Sequence, residues 1–97
     1  MEQPIACTLT ADEYAARSQG TAELARRALR SRELIPNGTR LTFETGADTE
    51  RELRDVIAAE ARCCAFLRMD LRPTAGALVL EITGPTGAEP IIAELFA

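Results

Sequence analysis

Histidine, tryptophan and lysine are all missing from these 97 residues, aromatic residues make up only 4%, and cysteine occurs three times. Without histidine the commonest general base at neutral pH is gone, and so are Ser-His and Cys-His nucleophile pairs and every histidine-containing zinc site. Chemistry must come from Cys, Asp, Glu, Arg, Tyr or backbone. The four aromatic residues, Tyr14, Phe43, Phe66 and Phe96, make no base-stacking platform. Eleven positive charges, all arginine, face fifteen acidic residues for a net charge of −4, which argues against partnership with nucleic acid or an anionic membrane surface. No apolar run approaches the eighteen or so residues of a membrane span, and Met1–Thr10 lacks the basic and apolar regions of a secretory leader. An odd cysteine count with Cys63 and Cys64 adjacent disfavours a disulfide framework, since neighbours in a helix cannot close a relaxed bridge. A cytoplasmic protein with reduced thiols is the expectation.

What is present reads as one domain over residues 1–97. Ile5, Cys7 and Leu9 alternate with Ala6, Thr8 and Thr10, which predicts a strand over 4–10 with Cys7 pointing inward. Thr10 with Glu13 matches a capping box, and the Ala-, Leu-, Arg- and Glu-rich stretch from Ala11 to about Leu34 reads as one long helix or two short ones. Gly20 is its weak point and Pro36-Asn37-Gly38 its stop. A strand is expected over 39–45, with Leu41 and Phe43 on its apolar side. A helix follows, capped by Thr49 and Glu52 and running to about Ala65. Leu67, Met69 and Leu71, then Leu78, Leu80 and Ile82, alternate on either side of Pro73-Thr74-Ala75-Gly76 as a hairpin, and 89–96 closes as a short helix. The order β-α-β-α-β-β-α predicts an α/β (α+β) two-layer sandwich, a four-stranded mixed sheet with helices on one face. Arg40, Thr42, Glu44, Arg68, Asp70, Arg72, Glu81 and Thr83 then line a second face, wet or in a polar dimer contact.

One helix carries an anomaly. At 100° per residue, Leu53, Val56, Ile57, Cys63 and Cys64 share a sector of roughly 120° with Glu60 at its centre, while Arg51, Arg54, Asp55 and Arg62 fall outside it. A carboxylate inside an apolar stripe either reaches solvent or an arginine, or shares a polar pocket with the thiols one turn on. Free cysteine also behaves as a small hydrophobe, so the three thiols have a plain packing explanation. If Cys7 lies under this helix, however, Cys7, Cys63, Cys64 and Glu60 form a set of soft ligands with one oxygen, suited to Cu(I), Zn(II), Hg(II) or As(III). A nucleophilic role for Cys63 or Cys64 is opposed by the helix C-terminus and by the negative charge of Glu60, whereas a bound metal deprotonates a thiol outright.

The segment Glu60-Ala61-Arg62-Cys63-Cys64-Ala65-Phe66-Leu67, with Leu78–Pro85, Leu95-Phe96 and the early Cys7-Thr8-Leu9, resembles a family of short, uncharacterised bacterial proteins abundant in actinobacteria. Ala65 departs from that family's pattern, which has proline after the two cysteines. The resemblance implies treating the three cysteines and Glu60 as one unit, and implies no reaction. Elsewhere, Gly84-Pro85-Thr86-Gly87 lacks the lysine of a phosphate loop and reads as a turn, Arg26, Arg27, Arg30 and Arg32 read as a solvated helix face, and Tyr14 as packing. Three readings stand: a soft-metal binder, a thiol-dependent enzyme or redox sensor, and a homodimeric interaction module with inert buried cysteines.

Overall fold

The computed structural model of the protein describes residues 11–63 and 66–96, with side chains left out of the description at 11–18 and 63. Along the chain lie α1 (Ala11–Ala28), β1 (Leu29–Ile35), β2 (Gly38–Glu44), α2 (Ala47–Cys63), β3 (Arg68–Thr74), β4 (Ala77–Thr83) and α3 (Glu89–Glu94). The strands form one sheet in the order β1-β2-β4-β3. The α+β two-layer sandwich expected from the sequence is therefore the fold.

The pleat explains the layering. Thr39, Leu41 and Phe43 of β2 and Leu78, Leu80 and Ile82 of β4 are the buried alternate residues, and the register sets Leu41 opposite Leu80 and Leu80 opposite Leu71. On this face pack Leu24 and Ala28 of α1, Leu53 of α2, and Ala88, Ile92 and Phe96 at α3. α1 contacts α2, β1 and β2, α2 contacts β3, and α3 contacts β2. The ring of Phe96 meets that of Phe43 edge-on, with centroids 5.4 Å apart and planes at 67°.

Two expectations are corrected. Residues 29–34 are not the end of a helix: α1 stops at Ala28, runs through Gly20 unbroken, and Leu29–Ile35 is an edge strand. Pro36 and Asn37 form a two-residue hairpin loop, with Ile35 opposite Gly38 and Asn37 at φ 63°, the residue types of a type II turn. Leu29-Arg30-Ser31-Arg32-Glu33-Leu34-Ile35 has helix-forming residues and no apolar alternation, because an edge strand with little core to face needs none. Its backbone is instead held by the free edge of β2, a partner that local propensity does not register. The sheet is also antiparallel throughout, not mixed. β2 and β3 run in the same direction with β4 inserted between them, so the α2 crossover joins strands that are not hydrogen-bonded neighbours. Smaller shifts follow: α2 begins at Ala47, with the Gly46 carbonyl accepting from Glu50 N–H at 2.9 Å, so Gly46 and not Thr49 is the cap. The strand expected at 4–10 lies outside the described residues.

Gly38 is required by a close approach. A β-carbon there would fall 2.8 Å from the Ile82 carbonyl carbon and 2.9 Å from Thr83 Cα, and closer still to the Ile82 oxygen, all of it backbone of the paired strand β4. Nearby, Gly84 N–H donates to the Asn37 carbonyl at 3.1 Å, which pins the segment leading into α3 against the β1–β2 turn.

Candidate functional site

α2 sorts its residues as the helix projection requires. Leu53 is fully buried, Val56 and Ile57 pack against the core, and Arg51, Arg54, Asp55 and Arg62 are exposed. The exposed face is tied by ion pairs along the helix, Arg54 to Glu50 at 2.8 Å and Arg51 to Asp48, and across to α1 through Arg27 and Glu52 at 2.9 Å. Glu60 lies on the opposite side and is only 3% exposed. Among the described residues no buried side-chain nitrogen or oxygen lacks a hydrogen-bond partner, and Glu60 itself has a polar interaction. A buried carboxylate held in this way fixes negative charge or an acidic proton at a set place in the core, because desolvation without a partner would cost several kcal/mol.

Of the four expected ligands, Glu60 is buried, which decides against the reading in which its carboxylate reaches solvent. Cys63 is the last residue of α2, three positions on from Glu60, with its side chain outside the description. Cys7 and Cys64 lie outside the described residues. Among the described residues there is no group of three or more His, Cys, Asp or Glu side chains arranged to hold a metal ion.

The face of the sheet away from the helices carries an ordered line of charge. Glu33, Arg40, Glu81 and Asp70 stand opposite one another across β1, β2, β4 and β3. Arg40 donates to Glu33 at 2.8 Å and from Nε to Glu81 at 2.8 Å, and Arg72 donates to the other Glu81 oxygen at 2.9 Å. Arg68 pairs with Asp70 at 3.2 Å. The hydrogen bonds that Arg40 donates to Glu33 first and Glu81 second hold its pKa above the ordinary value. Glu81 is held below the ordinary carboxylate value chiefly by its hydrogen bond from Arg40, against an opposing desolvation effect and with help from the charges of Arg40 and Arg72. The wet polar face expected from strand alternation is thus an ion-pair ladder.

A second concave feature was not expected. Between β1 and α3 a cavity of about 620 Å³ opens, lined mostly by apolar side chains including Leu29, Ile35, Ile92 and Phe96, with Leu34 at its edge 90% exposed. Arg32 also lines it. Reading Arg30 and Arg32 as a helix face hid this: β1 pairing sets Arg32 opposite Leu41 and Leu34 opposite Thr39, both on the helix-covered side of the sheet. The Pro36-Asn37 loop signature was the one sequence signal that pointed to a hairpin here.

Comparison with protein-family models, with curated proteins and with solved structures finds no match to this chain. Among the described residues no helix is long and apolar enough to cross a membrane.

Proposed function

We propose that the protein binds a soft metal or metalloid ion through the thiolates of Cys63, Cys64 and Cys7, with Glu60 as a fourth ligand or as acceptor to a ligating group. The observation that supports this reading is the burial of Glu60 on the core-facing stripe of α2, three residues before Cys63 at the helix end. Helical spacing brings i and i+3 to one face, so the carboxylate and the Cys63 position share one side of the helix. Soft thiolates select Cu(I), Zn(II), Hg(II) or As(III), and the absence of histidine restricts the ligands to sulfur and oxygen.

Titration of reduced protein with each ion, followed by thiolate-to-metal charge-transfer absorbance or by competition for Zn(II), tests it. The expected result is one ion per chain, sharply weaker binding in Cys64→Ser, and an intermediate loss in Glu60→Gln. Undiminished binding in Cys64→Ser overturns the reading. Rapid alkylation of one thiol at neutral pH, without ion binding, would favour a thiol-dependent enzyme or redox sensor instead.

A second reading, an interaction module that pairs with another copy through its open sheet face, is favoured by the charge ladder of Glu33, Arg40, Glu81 and Arg72. Opposite charges presented in alternation are self-complementary. Sedimentation of a stable monomer at high and low salt alike excludes it.

A further inference from the structure

We propose that the cavity between β1 and α3 is a binding site for a small apolar monocarboxylate, with the carboxylate at Arg32 and the hydrocarbon body along Ile92, Phe96 and Leu34. This site is independent of the thiol reading. Its volume of about 620 Å³ falls within the several-hundred-Å³ range of small-molecule pockets, which combine apolar walls with a few placed polar groups.

The placed polar group is Arg32. Its Nη2 donates to the carbonyls of Leu95 at 3.0 Å and Phe96 at 2.9 Å, just past the end of α3. Those two bonds hold the guanidinium against the mouth of the cavity and use one nitrogen. Among the described residues Nε and Nη1 have no partner and Arg32 forms no ion pair, unlike Arg40, Arg68 and Arg72 on the other face. A guanidinium with free N–H groups beside apolar walls is a carboxylate receptor, since charge-assisted hydrogen bonds are short and strong.

The far end fixes the ligand's direction. Glu89, the one acidic residue lining the cavity among the described residues, opens α3, and one of its oxygens accepts from Gly87 N–H at 2.8 Å. A six-residue helix rises about 9 Å, so Glu89 and Arg32 stand at opposite ends of the groove. A carboxylate is repelled at the first and held at the second. The exposed Leu34 side chain also lines the cavity and offers apolar cover to a hydrocarbon chain.

The test uses the full chain and three ten-carbon probes below their aggregation limits: decanoate, decan-1-ol and decylamine. Saturable one-to-one binding of decanoate is expected by calorimetry, at least tenfold tighter than decanol, with no binding of decylamine. Arg32→Gln should erase the preference for decanoate over decanol. Because Arg32 also holds the end of α3, Ala93→Trp supplies a second variant: it leaves Arg32 in place, fills the groove from an exposed helix position, and should abolish binding of both decanoate and decanol with an unchanged circular dichroism spectrum. Equal affinity for decanoate and decanol, or decanoate affinity unchanged in Ala93→Trp, overturns the proposal. So does binding of a peptide ending in apolar residues when decanoate fails to bind.

Discussion

Replacing Phe96 by alanine probes how the last described segment is attached to the fold. Phe96 is fully buried, its ring lies edge-on to Phe43, and its carbonyl accepts from Arg32. Truncation removes the ring and leaves a cavity that the sheet, fixed by β2–β4 pairing, can close only in part. Such changes cost about 3–5 kcal/mol, of which about 0.5–1.5 kcal/mol belongs to the aromatic pair. A domain of this size has a total stability of about 5–15 kcal/mol, so the loss is a large share of it. With a urea dependence near 1 kcal/mol per M, the unfolding midpoint should fall by about 3–5 M. A backbone contrast sharpens the test. Phe96 sits at φ 61°, in the left-handed region that costs a non-glycine residue about 1–2 kcal/mol. Phe96→Gly makes the same cavity while relieving that strain, so it should be at least as stable as Phe96→Ala, the reverse of the usual order. A midpoint shift below about 0.5 M in Phe96→Ala would refute the reasoning, because a ring seated in the core cannot be removed so cheaply.

Gly38→Ala should cost about 3 kcal/mol or more, since its β-carbon meets only backbone of β4 and nothing flexible can yield; a urea midpoint within about 0.5 M of the parent contradicts this. Asn37→Ala should cost about 1 kcal/mol at its positive φ, and Asn37→Gly almost nothing, measured in the same assay. Glu81 has a folded pKa below its unfolded one, so its contribution is present above the unfolded value and lost as pH falls through the folded value. The thermal midpoint should therefore drop on acidification below about pH 4.3, and less steeply in Arg40→Met; parallel pH profiles would show that Arg40 does not hold Glu81. Leu34→Ser, at the exposed edge of the groove, should leave stability within about 0.5 kcal/mol while weakening decanoate binding at least threefold through loss of its apolar cover.

Local pattern was sufficient wherever a segment faces the core. The alternation of Leu41 with Phe43 and of Leu78, Leu80 and Ile82 reads directly as two strands, because each buried row has period two and no helix can bury it. The place of Glu60 on the apolar stripe was equally legible, since the angular spacing of Leu53, Val56 and Ile57 centres on it, but only the structure decided that it is buried. The sequence by itself also excluded histidine chemistry and limited any metal site to sulfur and oxygen ligands.

Tertiary structure alone decided the fate of residues 29–35. Their composition favours a helix, and only the unpaired edge of β2, reached through the Pro36-Asn37 turn, supplies backbone partners that outweigh that preference. Strand order was decided in the same way: β4 enters between β2 and β3 because its two faces of side chains match both neighbours, Leu80 with Leu41 and Leu71, Glu81 with Arg40 and Arg72. Pairings of this kind are long-range, so no local window contains them. The cavity beside Arg32 follows from that one strand, since as part of a helix the same arginine would have pointed into water.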